Sequence, residues 1–243
     1  MPFTFAHPAL VIPLLHPRRR YGWVSATGLI AGSIAPDFEK FLTLRLANDY
    51  SHTVLSIFYF SVPVALVLAL VFHRVVRRPL LAHLPAPLHG RLHRFADFDW
   101  TAHLRKHPAG VLASIVLSAA LHLLWDRFTH LNALTTNPNM RLLMHPVRIQ
   151  GRSVPLFQLF AWSSSVVGLI AIVWAIWQMP RDMRAVGPRP GSRHRFWAVA
   201  ALVALGLGTS WVLLFPVRLA DAGIVVISAG MTGIAIAAVW ARR

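Results

Sequence analysis

The chain has no cysteine among its 243 residues. Disulfides and thiolate metal sites are excluded, so any metal would need imidazole or carboxylate ligands. Charge is also scarce. Only 13% of residues are Asp, Glu, Lys or Arg, about half the share of an ordinary soluble domain. Acids are rarest, with 8 Asp and Glu against 24 Lys and Arg. A glycine-rich phosphate loop, a G-x-S-x-G nucleophile motif and internal repeats are all missing. Residues 1–7 lack the basic start of a secretory signal, and no small-residue cleavage site follows a signal-like core. Without cysteine, and with proline at position 2, no lipidation motif is present.

What the sequence has in abundance is apolar length: 56% of residues are hydrophobic. Five runs, 54–72, 109–125, 157–177, 196–215 and 222–240, are long enough to cross a bilayer. Before them lie two shorter apolar pieces, 9–15 and 22–35. Pro8, Pro13 and Pro17 interrupt or bound the first; the second is rich in small residues that suit close helix packing. The pair reads as a short or re-entrant hairpin. The expected fold is all-α: a polytopic transmembrane bundle forming one integral membrane domain over residues 1–243. Residues 1–177 would bear any site, and 196–240 would form two apolar scaffold spans. The stretch 80–108 reads as a loop with one amphipathic helix, and 179–195 as a Pro/Gly/Arg linker.

The formal charge of +16 sits mainly between the spans. It points to topology and to anionic lipid headgroups at cytoplasmic loops rather than to nucleic acid. Placing 72–108 in the cytoplasm puts 17 of the 24 basic residues inside. The C-terminus is then expected in the cytoplasm, and the chain in a cytoplasmic membrane. The nine tryptophans lie mostly near span ends, as interface anchors do. His73, His83, His89, His93, His103 and His107 fall in or beside the basic loop and are expected to be solvated.

Chemistry concentrates elsewhere. Acids and histidines cluster beside span ends on one expected face, as Asp37 and Glu39, Asp49 and His52, and His122, Asp126 and His130. The last three are spaced by four, so they share one face of a helix. Carboxylates and imidazoles in this arrangement can bind a divalent metal, with zinc the first choice. Ionisable residues in a span are costly and point to function. Single residues also have plainer readings: an interface histidine that only packs, an aspartate that caps a helix, or an Asp126–Arg127 ion pair.

Several short motifs resemble one bacterial family. They are Met1-Pro2-Phe3-Thr4-Phe5-Ala6-His7-Pro8, Gly32-Ser33-Ile34-Ala35-Pro36-Asp37-Phe38-Glu39, Ser51-His52-Thr53, and the run from His122 to His130. Val154-Pro155-Leu156-Phe157-Gln158 and Ser164-Ser165-Val166-Val167-Gly168 are also similar to it. The family is the membrane proteins catalogued as domain of unknown function 4184. It is in turn similar to membrane-bound metal-dependent hydrolases related to an inner-membrane protein of the DNA-damage regulon. Those share an early His, a Pro-Asp-x-Asp motif, a Thr-His or Ser-His before a span, and a His-x-x-x-Asp on a later span. The resemblance implies His7, Asp37, His52, His122 and Asp126 as a metal set. Glu39 stands where the second acid of Pro-Asp-x-Asp is expected.

The resulting expectation is a metal-dependent hydrolase at the extracytoplasmic face, acting on an amphiphilic phosphoester. Glu39 or His130 would serve as general base or acid, and Arg127 would bind phosphate. Two other classes remain open at this point: a non-enzymatic membrane protein whose polar cluster locks its helices, and a transporter or metal carrier.

Overall fold

Pro8 and Pro13 remove amide donors that an α-helix needs. In the computed structural model the segment Thr4–Leu14 accordingly winds as a 3-10 helix. Residues three apart eclipse each other in this form, so Thr4 and His7 fall on one side. The structure describes residues 3–15, 23–130, 138–182 and 191–242. Arg18, Arg19, Arg20, Arg184, Arg189 and Arg243, which enter the charge asymmetry, lie outside them, as do Met1, Pro2, His16, Pro17 and Gly22.

The elements in chain order are α1 (Ala26–Ile34), a 3-10 turn (Ala35–Asp37) and α2 (Phe38–Thr43), followed by a long helix α3 (Ile57–His83). Next come α4 (Ala86–Leu92), α5 (Trp100–Lys106) and α6 (Pro108–Thr129). A small antiparallel hairpin, β1 (Pro146–Ile149) and β2 (Arg152–Pro155), precedes α7 (Leu156–Trp177), α8 (Ser192–Leu214) and α9 (Leu219–Trp240). The helices α3, α6, α7, α8 and α9 are long and apolar enough to span a membrane. The expected all-α bundle with five spans and a short helical N-terminal part is therefore the observed fold.

Two compact units share these elements. One comprises Met1–Asp37, Tyr50–Leu66 and His107–Ala175; the other comprises Phe38–Asp49, Val67–Lys106 and Ile176–Arg243. In the first, α1 lies against α6. Ser25 caps α1 by accepting the Gly28 amide. Its own amide donates to Ser114 Oγ of α6, 3.0 Å away. A Cβ at Gly32 would collide with Ser118 Oγ and the Ile115 backbone, so only glycine permits this approach. The same packing fixes where the C-terminal half of α6 places its side chains.

Three local features depart from the sequence reading. The first span continues past residue 72 to His83 through a wide π-helical turn at Phe72–Val76; a second such turn, Ile57–Ser61, opens the helix. The 80–108 stretch is more helical than one amphipathic segment, containing α4 and α5. Within it His83 and His89 are buried, not solvated. Each turns Nδ1 to a backbone carbonyl, Pro79 at 2.7 Å and Leu81 at 2.8 Å, and His83 stacks on Phe196. The third departure is the hairpin. Gln150 and Gly151 both have positive φ at its two-residue turn, as a twisted antiparallel pair prefers.

Candidate metal centre

The residues that converge come from four places in the first unit. The 3-10 helix supplies His7, and the turn after α1 supplies Asp37. The loop before α3 supplies His52; α6 supplies His122 and Asp126. Asp37, His52, His122 and Asp126 each offer a donor atom, and these atoms all lie within 4.8 Å of one another. His52 Nε2 is 3.4 Å from Asp37 Oδ1 and 3.2 Å from Asp126 Oδ2. His122 Nε2 is 3.7 Å from Asp37 Oδ1 and 3.3 Å from Asp126 Oδ2. Ligands about 2.1 Å from a tetrahedral ion stand about 3.4 Å apart, so this spacing suits one small cation.

The outer nitrogens of the rings decide what the inner ones can do. His122 Nδ1 lies 2.7 Å from the Ser33 carbonyl, which can only accept. The proton therefore sits on Nδ1. His7 is held likewise by the Thr4 carbonyl, 3.2 Å from its Nδ1. Both rings then present an Nε2 lone pair, unless doubly protonated, to carboxylate oxygens. His7 Nε2 is 3.3 Å from Asp126 Oδ1. Acceptors facing acceptors at this distance require a proton or a cation between them. The His7 and His122 rings stack with centroids 3.9 Å apart, so both Nε2 atoms converge on the same carboxylate. His122 Nε2 and Asp126 Oδ2 are moreover buried side by side, with His52 Nε2 converging on the same oxygen. Two carboxylates and two neutral imidazoles balance the charge of a divalent ion, and the donor set fits one.

Neighbouring polar groups aim the ligands. Thr4 Oγ1 donates to Asp37 Oδ2 at 2.6 Å, leaving Oδ1 towards the centre. Ser51 Oγ is 2.8 Å from His52 Nδ1. Burial disfavours a proton on His52, but hydrogen bonds and charge from Asp126 and Asp37 outweigh that and raise its pKa above the ordinary 6.5. The sequence reading missed Thr4 and the Ser33 carbonyl. Thr4 had a signal, because it stands three residues before His7 in a proline-interrupted segment. A backbone carbonyl has no sequence signal.

The other candidates divide. His130 caps α6, with Nδ1 3.4 Å from Asp126 Oδ1, and is the remaining imidazole at the cluster. Glu39 is buried in α2, within the second unit, where Oε1 accepts the Asp49 amide at 2.7 Å. Arg127 is exposed. Adjacent residues on a helix point about 100° apart, so Arg127 diverges from Asp126, whose two oxygens face histidines.

Beside the cluster, a groove of about 410 Å³ opens between the 3-10 helix, α6 and α7. Ala6, Leu10, Trp125, Phe160 and Val167 form its apolar wall, and His7 is its basic group. Gly168 lets α7 approach the Ala6 carbonyl, and the Phe3 amide donates to Ser165 Oγ at 2.8 Å.

No curated protein and no solved structure matches the chain. One family model does, over residues 1–240, and its description is Domain of unknown function (DUF4184). Nearly the whole chain, the cluster and all five spans included, is covered by that match; the protein belongs to the DUF4184 family.

Proposed function

We propose that this chain is a membrane-embedded, metal-dependent hydrolase of an amphiphilic phosphoester. The observation that carries the reading is the pair of ring nitrogens, on His7 and His122, held as acceptors against the Asp126 carboxylate. Asp37, His52, His122 and Asp126 would hold the metal, zinc first among divalent ions, and His7 would complete or border the set. When bound, such a metal supplies Lewis acidity to a water and to a phosphoryl or acyl oxygen.

The remaining work falls to the protein. Ser33 and Thr4 keep the ligands in register. His130, touching Asp126 and partly exposed, is positioned to carry a proton between the reacting group and solvent. The apolar groove at His7 suits the hydrocarbon part of a lipid-like substrate, with its polar end at the cluster. Arg127, on the exposed side of α6, would meet an anionic headgroup at the membrane surface. The excess of basic residues in the loops 72–108 and 179–195 supports a reading in which this end of α6 lies outside a bacterial cytoplasmic membrane and the C-terminus inside.

The test is metal analysis together with turnover on the full-length protein. One divalent ion per chain, lost in His122→Ala, and chelator-sensitive release of phosphate or headgroup from short-chain phospholipids would support the reading. Bound metal without turnover on any phosphoester would reject hydrolysis. A metal-free cluster insensitive to added zinc would leave a structural lock between helices.

A further inference from the structure

The second unit contains a basic pocket of about 500 Å³ that the hydrolase reading does not use. Its most buried cation is Arg77, 6% exposed. Arg77 Nη1 donates to the Phe98 carbonyl and to His73 Nδ1, the latter at 2.8 Å. Its Nε is buried with no hydrogen-bond partner. A buried charged donor left unmet is costly and invites an acceptor. Arg74 and Arg78, on the same helix, and Arg242, just beyond α9, also line the pocket. Arg242 is anchored there by the carbonyls of Arg74 and Val75.

Two carboxylates share the space. Asp97 Oδ1 lies 3.4 Å from Arg78 Nη2 and its side chain is 90% exposed. Asp99 Oδ1 accepts the Ala102 amide at 2.9 Å. Four guanidiniums against two carboxylates leave a surplus of two positive charges. Trp100 and Phe98 supply an aromatic wall, with Trp100 stacked on His73. Depth identifies the setting. At 1.5 Å per residue, Arg74 and Arg78 stand about 26 and 32 Å along α3. A hydrocarbon core is about 30 Å thick, so a span that enters the core at the start of α3 leaves it beside this pocket, at the headgroup layer.

We propose that this pocket binds a phosphomonoester dianion carried by a lipid, a phosphatidate-type headgroup, with its oxygens on Arg77 Nε and the guanidiniums of Arg74, Arg78 and Arg242. Two negative charges match the surplus, and arginine forks are suited to phosphate oxygens. A zwitterionic headgroup would bring a cation into an already basic site. The location at headgroup depth favours a lipid over a soluble phosphate. The site stands independently of the metal cluster.

The experiment is thermal unfolding of the full-length protein in detergent, titrated with dioctanoyl phosphatidate, dioctanoyl phosphatidylcholine or inorganic phosphate. Phosphatidate is expected to raise the melting temperature with saturation, and the other two to have little effect at equal concentration. Arg77→Gln should weaken the phosphatidate response about tenfold, the loss of one charge-assisted contact. Arg242→Gln, at an exposed position, should weaken it similarly and is the deciding variant if Arg77→Gln does not fold. An unchanged response in Arg242→Gln, equal stabilisation by phosphatidylcholine, or no response to phosphatidate would each reject the site. A response to inorganic phosphate equal to that of phosphatidate would reject the lipid as its ligand.

Discussion

His122 Nε2 and Asp126 Oδ2 lie 3.3 Å apart, one turn along the same helix and both buried, and His52 Nε2 stands 3.2 Å from the same carboxylate oxygen. Such a pair inside a span is expensive unless something charged joins it. Asp126→Asn keeps the shape and removes the anionic donor. The variant is expected to insert and melt much like the parent while metal affinity falls about 10- to 100-fold or more, judged against changes that touch a ligand only indirectly. Chelator competition on the purified protein checks this, and parental affinity in Asp126→Asn would remove Asp126 from the site.

Thr4 tests the support beneath the ligands. Its hydroxyl donates to Asp37 Oδ2 at 2.6 Å in a buried setting. Thr4→Val preserves volume and deletes that donor. Metal affinity should fall about 10-fold or more, the range for lost hydrogen bonds to ligands. Thr4→Ser, which restores a hydroxyl, should recover most of it in the same competition assay.

Much of this centre was legible because its local parts are periodic. A His and an Asp four apart on a helix must share a face, and runs of about twenty apolar residues must span. What brings Asp37 and His52 to α6 was not legible, because it depends on the α1–α6 packing at Gly32 and Ser118 for the one and on the contact of the start of α3 with α6 for the other. His7 was placed in the set by resemblance alone; the 3-10 geometry that delivers it depends on how Pro8 and Pro13 reshape a short segment. The extension of α3 through Arg74, Arg77 and Arg78 looked like a loop, since charge normally ends a span. Arg77 is tolerated there because the Phe98 carbonyl, distant in sequence, meets it.

Gly32 carries a stability prediction. A methyl group at this position would meet Ser118 Oγ and the Ile115 backbone. Gly32→Ala should push α1 off α6 and destabilise the protein by about 1–3 kcal/mol, the range for overpacking. Thermal unfolding in detergent measures the loss. Since Ser33 follows directly and its carbonyl holds His122, metal affinity should fall as well. A variant that melts lower with full affinity would separate the packing from the centre.

The pH dependence follows from His52. The Asp126 and Asp37 carboxylates hold its pKa above 6.5 despite burial, so the folded metal-free protein binds this proton more tightly than the unfolded chain. That contribution to stability is fully present below about 6.5 and is lost as pH rises through the raised folded value. Metal and proton compete for the same imidazole, because a ligand must be deprotonated. As pH increases across this window the metal-free protein should therefore melt at lower temperature while metal affinity increases, levelling off once His52 is neutral. The gap in melting temperature between zinc-loaded and metal-free protein should be wider at pH 8 than at pH 6. His52→Asn should flatten both trends. A gap that is constant with pH, with His52→Asn unchanged from the parent, would take His52 out of the ligand set and leave Asp37 joined to the centre only through His122.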